Sequence, residues 1–223
     1  MQDVSIEALK NLVSNSTDDT LQSWETHDIK VPFDLTSKDF LAFAQCDLRG
    51  EYGHRLVNGL SNIKRAINCQ LDSLLVGFGL FQLSRKGNWG FPYKAEQLNK
   101  VGIISPSILR KINQKRNLLE HEYRKPEAEQ VEDALDVATL FVTYTNRFLY
   151  NALIECELFD QDRNDLTVRL SYEQNRIVLS GREWSESDAD GPAITKVLKE
   201  VTADSEEYLD YLGWFISLYE LRR

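Results

Sequence analysis

No apolar run in this chain approaches the roughly 18 residues that a membrane-crossing helix needs, so no span is expected. Cysteine is scarce. Cys46, Cys69 and Cys156 are odd in number, far apart and set in helical patterns, which argues against a disulfide framework and predicts buried thiols in a reducing cytosol. Cys-x-x-Cys and His-x-x-x-His spacings are missing, so a structural zinc is not expected. The glycines do not fall in G-x-G-x-x-G or P-loop order, so neither a nucleotide cradle nor a cofactor is expected. The N-terminus Met-Gln-Asp-Val-Ser-Ile-Glu is acidic and lacks an apolar segment, so it does not read as a signal peptide, and the expected location is the cytoplasm. Internal repeats and low-complexity tracts are also lacking.

A basic balance is missing too. Lys and Arg number 26 against 35 Asp and Glu, a net charge of −9. Such a surface disfavours approach to a polyanion, so any nucleic-acid contact needs a local basic patch. Arg110, Lys111, Lys115, Arg116, Arg124 and Lys125 form one candidate, set against Glu120 and Glu122; an ordinary mixed surface is the competing reading. The acidic residues load the C-terminal third, at Glu183, Glu186, Asp188, Asp190 and between Glu200 and Glu207.

What is present is enough for a folded core. The chain has 223 residues, 42% of them hydrophobic, which suits one ordinary domain with appendages. Residues 5–13 suit a short amphipathic helix. Ser16 to Asp19 reads as a turn or cap before a second short helix toward Trp24, and 25–36 as an extended connector around Pro32. Ser37 is the expected N-cap of a helix through Phe40, Leu41, Ala44 and Leu48. Leu56, Leu60, Ile63, Ile67, Leu71, Leu74 and Phe78 keep spacings of three and four, a clear second helix. Residues 77–93, rich in glycine and aromatics, read as a structured loop. There Arg85, Lys86 and Trp89 suit either RNA contact or, for the aromatics, cover over a core edge. A short helix near 94–100 precedes a helix opened by Ser105-Pro106. The periodicity from Val131 through Phe148, Leu149, Ala152 and Leu153 to Cys156 predicts a long fourth helix of about seven turns. Four such stripes bury best as a bundle.

After the charged linker 157–165, Leu166, Val168, Leu170 and Tyr172 alternate as a strand, and Glu173 to Arg176 turns the chain into Ile177–Leu179 as a hairpin. Pro192 is expected to open a helix with Ile194, Val197, Leu198 and Val201. A last helix carries Tyr208, Leu212, Phe215, Ile216 and Tyr219, capped by Asp204 or Ser205. The expected organisation is an N-terminal arm over 1–36, a helical bundle over 37–156 and a small α+β appendage over 157–223 that packs on it.

The densest chemistry lies in Arg116-Asn117-Leu118-Leu119-Glu120-His121-Glu122-Tyr123, before Pro126. Arg stays charged and offers a planar fork that suits phosphate, and His moves protons near neutral pH. Together they suit cleavage of a phosphodiester without a metal. Asn113, Asn117 and His121 form one polar stripe, while Arg116 and His121 sit about 140° apart on an ideal helix. One straight helix therefore cannot aim both at one atom; the helix unwinds, or another element or subunit completes the site. The competing reading is a solvated face of i, i+4 pairs, Arg116, Glu120 and Arg124, with His121 at a helix C-terminus.

Arg116-x4-His121, with Asn117 after the Arg and Tyr123 two past the His, resembles the motif of HEPN domains (higher eukaryotes and prokaryotes nucleotide-binding). Gly102 to Lys115 and Pro126 to Val131 resemble the same family, and the similarity covers about residues 37–156. The resemblance implies a mainly α fold: a HEPN-like antiparallel four-helix bundle, here with a small C-terminal α+β appendage. It implies a metal-independent endoribonuclease with Arg116 and His121 as catalytic pair and Asn117 orienting the motif or touching the scissile phosphate. The attacking group would be the RNA 2′-hydroxyl, leaving a 2′,3′-cyclic phosphate. Lys111, Lys115, Arg124 and Lys125 would hold RNA. The family is rich in toxins of toxin–antitoxin pairs and phage-defence effectors, so an antitoxin or regulatory protein is an implied partner, as is a homodimer. Tyr123 matches a position that some antitoxins of the family modify with AMP; packing on the core is its other reading. Some members are inactive, so a non-catalytic dimerisation or binding module that holds a protein or nucleotide is the second expectation. The acidic balance, the arm and the appendage favour it.

Overall fold

The computed structural model describes residues 4–14, 21–103, 125–159, 165–183 and 194–220. Helix α1 (Ile6–Ser14) is followed by strand β1 (Leu21–His27), then by α2 (Ser37–Arg49), α3 (Arg55–Gly77), α4 (Phe81–Lys86) and α5 (Phe91–Lys100). Helix α6 (Ala128–Thr145) runs through a 3₁₀ turn (Asn146–Phe148) into β2 (Ala152–Phe159), then β3 (Asp165–Ser171), β4 (Arg176–Glu183), β5 (Ile194–Thr202) and α7 (Tyr208–Ser217). The strands form one antiparallel sheet in the order β1-β2-β3-β4-β5. Helices α2, α3 and α6 pack on one another, and α7 packs on β4, β5, α1 and α5. No helix among the described residues is long and apolar enough to cross a membrane.

The fold is therefore α+β, which corrects the expectation of a mainly α four-helix bundle with a small appendage. Three segments account for the difference. The helix expected to run to Cys156 ends at Thr145, and Asn151 takes a left-handed φ of 50° before β2 begins. Ile154-Glu155-Cys156-Glu157-Leu158 alternates apolar and acidic residues, which is strand period; Cys156 and Leu158 are fully buried. The helix expected toward Trp24 is β1, whose Trp24 lies opposite Cys156. The helix expected after Pro192 is β5. Leu179 pairs with Lys199 and Ser180 with Val197, so two residues of β5 span one step of β4, a bulge at Leu198. Leu198 and Val201, three apart, thereby both pack against the core, and that spacing imitates a helix.

The hairpin and the second helix stand as expected. The β3–β4 hairpin buries Leu166, Val168, Leu170, Ile177 and Leu179. α3 buries the whole stripe from Leu56 to Leu74. The cap of α2 is Thr36 rather than Ser37: the Asp39 N–H donates to Thr36 Oγ1 and the Thr36 N–H to Asp39 Oδ2 (2.7 Å), a capping box. These bonds from Thr36 hold the Asp39 carboxyl below its ordinary value. The segment 77–93, expected as a loop, contains α4. Of the cysteines, Cys156 is buried, Cys69 half-buried and Cys46 exposed on α2, so burial of all three is corrected. Burial pushes the Cys69 and Cys156 thiols above their ordinary value.

One polar network ties the helical layer together. Ser37 Oγ donates to Gln70 Oε1 (2.6 Å), and Gln70 Nε2 donates to Thr145 Oγ1 (2.8 Å). Thr145 Oγ1 in turn donates to the Phe141 carbonyl (2.8 Å). Ser37, Gln70 and Thr145 are buried, so replacing one partner strands the others. Gln70→Leu is expected to cost about 1–3 kcal/mol of stability. Urea denaturation checks it; a midpoint equal to that of the wild type would show the network to be dispensable.

The two layers share one core. The Tyr208 hydroxyl donates to the Phe78 carbonyl (2.8 Å) and the Leu153 N–H to Tyr219 Oη (2.7 Å). Gly79 has a φ of 67°, and a Cβ there would meet Asn175 Cα at 2.9 Å, so this crossing of helical layer and hairpin needs glycine.

Candidate functional site

The motif residues Arg116, Asn117, His121 and Tyr123, with Lys111, Lys115 and Arg124, lie outside the described residues. The flanks of their segment are described. At one side Gly102 takes a φ of 86° and its N–H donates to the Asn99 carbonyl, while the Ile103 N–H donates to Leu98; this closes α5. Val101 and Ile103 are buried, and Gly213 of α7 comes against Val101. At the other side Lys125 is exposed, and Val131 in the first turn of α6 is fully buried. Ile103 and Val131, on the two flanks, are thus both core anchors.

The outer sheet face carries charge of mostly one sign. Glu25, Glu155, Arg169, Val178 and Glu200 lie in one row across the sheet, with Glu157 in the next. Arg169 bonds Glu155 through Nε and reaches Glu25 at 3.4 Å; Arg176 pairs with Glu200 at 2.7 Å. The bond to Glu155 raises the Arg169 guanidinium above its ordinary value. Two guanidiniums facing four carboxylates disfavour a polyanion on this face.

Arg85 and Lys86 end α4 exposed, but Trp89 is half-buried, with its ring edge-on to Tyr93 at 4.9 Å. Trp89 packs against the core, which fits its reading as cover over a core edge.

Two clefts among the described residues were not anticipated from the sequence. One, of about 480 Å³, opens at the end of the sheet. His27, Asp28 and Lys30 form one side, and Asn151, Tyr172 and Glu173 the other. His27 Nε2 sits 3.0 Å from Glu25 Oε1, and Asp28 Oδ1 accepts the Asn151 N–H (2.9 Å). Burial, then the nearby Glu173 charge, raises the Tyr172 hydroxyl above its ordinary value. The cleft is mixed in sign, with its imidazole held by a carboxylate. The second, of about 300 Å³, lies between α2, α3 and the connector before α2, with Arg65, Asn68 and Asp72 on one wall. Those three residues fall at i, i+3, i+7, a signal present in the sequence; the aromatic wall opposite comes from other segments.

Comparisons with protein-family models, with curated proteins and with solved structures return no match for this chain. The functional reading therefore rests on the motif and on the clefts.

Proposed function

We propose that this protein is a metal-independent endoribonuclease of HEPN type, acting as a toxin or phage-defence effector. The observation that carries the reading is the run Arg116-Asn117-x2-Glu120-His121-x-Tyr123. The packed helices α2, α3 and α6 give the reading a helical layer of the kind the resemblance implies. In the reaction the RNA 2′-oxygen attacks the adjacent phosphorus. The O2′–P bond forms, the P–O5′ bond breaks, and a 2′,3′-cyclic phosphate and a 5′-hydroxyl result. His121 takes the 2′-hydroxyl proton or returns one to the leaving oxygen. Arg116 holds the charge that develops on the phosphoryl oxygens, and Asn117 orients the scissile phosphate. Lys111, Lys115, Arg124 and Lys125 bind flanking phosphates and govern salt dependence. The test is RNA cleavage in EDTA by wild type and motif variants.

Because Arg116 and His121 sit about 140° apart on an ideal helix, a complete site calls for a second copy in a two-fold dimer. Light scattering is expected to give twice the chain mass at micromolar concentration. A strict monomer with full activity would rule this out.

The second reading is a non-catalytic module that holds a protein or nucleotide. The acidic row Glu25, Glu155 and Glu200 favours it, since such a face suits a basic partner. Binding of RNA or a partner with no cleavage under any buffer would select it.

A further inference from the structure

We propose that the cleft between α2, α3 and the connector before α2 is a guanine-binding subsite. The proposal rests on the nuclease reading only for its RNA source; the pocket chemistry stands apart from it.

The cleft has two unlike walls. Phe33, Leu35 and Phe40 form the apolar one. Phe33 meets Phe81 edge-on at 5.6 Å and Phe40 meets Phe43 edge-on at 6.0 Å, contacts that brace both rings. Leu35 is 45% exposed, and its carbonyl accepts the Cys69 thiol proton (3.4 Å), which fastens the connector to α3. Arg65, Asn68 and Asp72 form the polar wall, within about 60° of one another around α3. A flat, polar-edged ring fits between such walls: its faces stack on aromatics and its edge meets the stripe. The volume, about 300 Å³, sits at the small end for ligand pockets.

The donor and acceptor order selects the ring. Asp72 Oδ1 accepts from Lys94 Nζ at 2.5 Å, which fixes the carboxylate and leaves it further acceptor sites. Asn68 has no hydrogen-bond partner among the described residues, so its amide is available to donate. A carboxylate beside an amide one helical turn away calls for two adjacent donors next to a carbonyl. Guanine alone among the RNA bases presents that edge, N1–H and N2–H₂ beside O6. Adenine turns an acceptor nitrogen toward the carboxylate. Arg65 donates from Nη1 to Asn62 Oδ1 (3.2 Å) and is exposed at the rim, where it suits the nucleotide's phosphate.

The same chemistry serves a guanine in single-stranded RNA or a free guanine nucleotide, and binding by the full-length protein separates them. In titration calorimetry GMP is expected to bind at least about tenfold more tightly than AMP, the discrimination of a good bidentate base contact. Asp72→Asn is expected to erase most of that ratio, and Asn68→Ala to weaken GMP without strengthening AMP. Arg65→Ala should weaken GMP while leaving guanosine unchanged. Thermal unfolding of each variant guards against loss of fold; if Asp72→Asn, which breaks the Lys94 pair, does not fold, Asn68→Ala carries the test. Equal affinity for GMP and AMP in the wild type, or a preference that both variants retain, overturns the subsite. A single-guanosine tetranucleotide, titrated in the His121→Ala background, should bind at least about tenfold more tightly than GMP if the source is RNA. Equal affinity assigns the pocket to the free nucleotide. Cleavage that depends on His121, with GMP and AMP bound equally, removes the subsite and keeps the nuclease; tighter binding of GMP than AMP without cleavage does the reverse.

Discussion

His121→Ala is expected to slow RNA cleavage by on the order of a hundredfold or more, in buffer containing EDTA, because it removes the group that moves the proton. The reaction should survive the chelator, since the family resemblance implies attack by the RNA's own 2′-hydroxyl. Arg116→Lys should be severely impaired as well: lysine keeps the charge but loses the planar fork that bridges two phosphoryl oxygens. Lys115→Ala should do less, because a flanking phosphate contact mainly lowers affinity and its dependence on salt. The contrast between the last two variants separates geometry from charge. If Arg116→Lys and Lys115→Ala behave alike, the basic run is an electrostatic patch and Arg116 has no special role. If His121→Ala cuts RNA at the wild-type rate, the nuclease assignment for this motif is wrong.

Phe148→Ala is expected to lower stability by about 3–5 kcal/mol, the usual cost of deleting a buried aromatic ring. Phe148 is 2% exposed in the turn that converts α6 into β2. Its ring meets Phe78 at 6.0 Å, Tyr144 at 6.4 Å and Tyr219 at 4.9 Å. Those partners come from the end of α3, from α6 and from the C-terminal turn, so one side chain fills the seam between helices and sheet. Against a typical total of about 5–15 kcal/mol the loss is large. A urea midpoint shifted downward at unchanged slope is the expected result. A shift worth less than about 1 kcal/mol, or two separate transitions, would mean that the layers do not share a core.

The sequence by itself determined the elements whose signal is local. α3 shows in seven apolar residues spaced three and four apart, and α2 in its stripe and polar cap. The hairpin β3–β4 shows in clean alternation around Glu173 to Arg176, and α7 in the Tyr208 to Ile216 face. The chemistry of Arg116 and His121 was legible in the same way, as residue types at a spacing. What only the tertiary structure decided is where the chain becomes sheet. β1, β2 and β5 are strands because partners lie beside them, and strand pairing is non-local. The run Ala152-Leu153-Ile154 is apolar throughout, so periodicity cannot say helix or strand; β1 and β3 on either side settle it. In β5 the bulge at Leu198 turns two residues three apart to one face, which reads as helix until its pairing with β4 is known. The same reason hides the clefts. Arg65, Asn68 and Asp72 announce a polar stripe, but the rings of Phe33 and Phe40 reach it only when the connector and α2 pack on α3. A helix face is written in consecutive turns, whereas a cavity is written by distant segments that meet only in the folded chain.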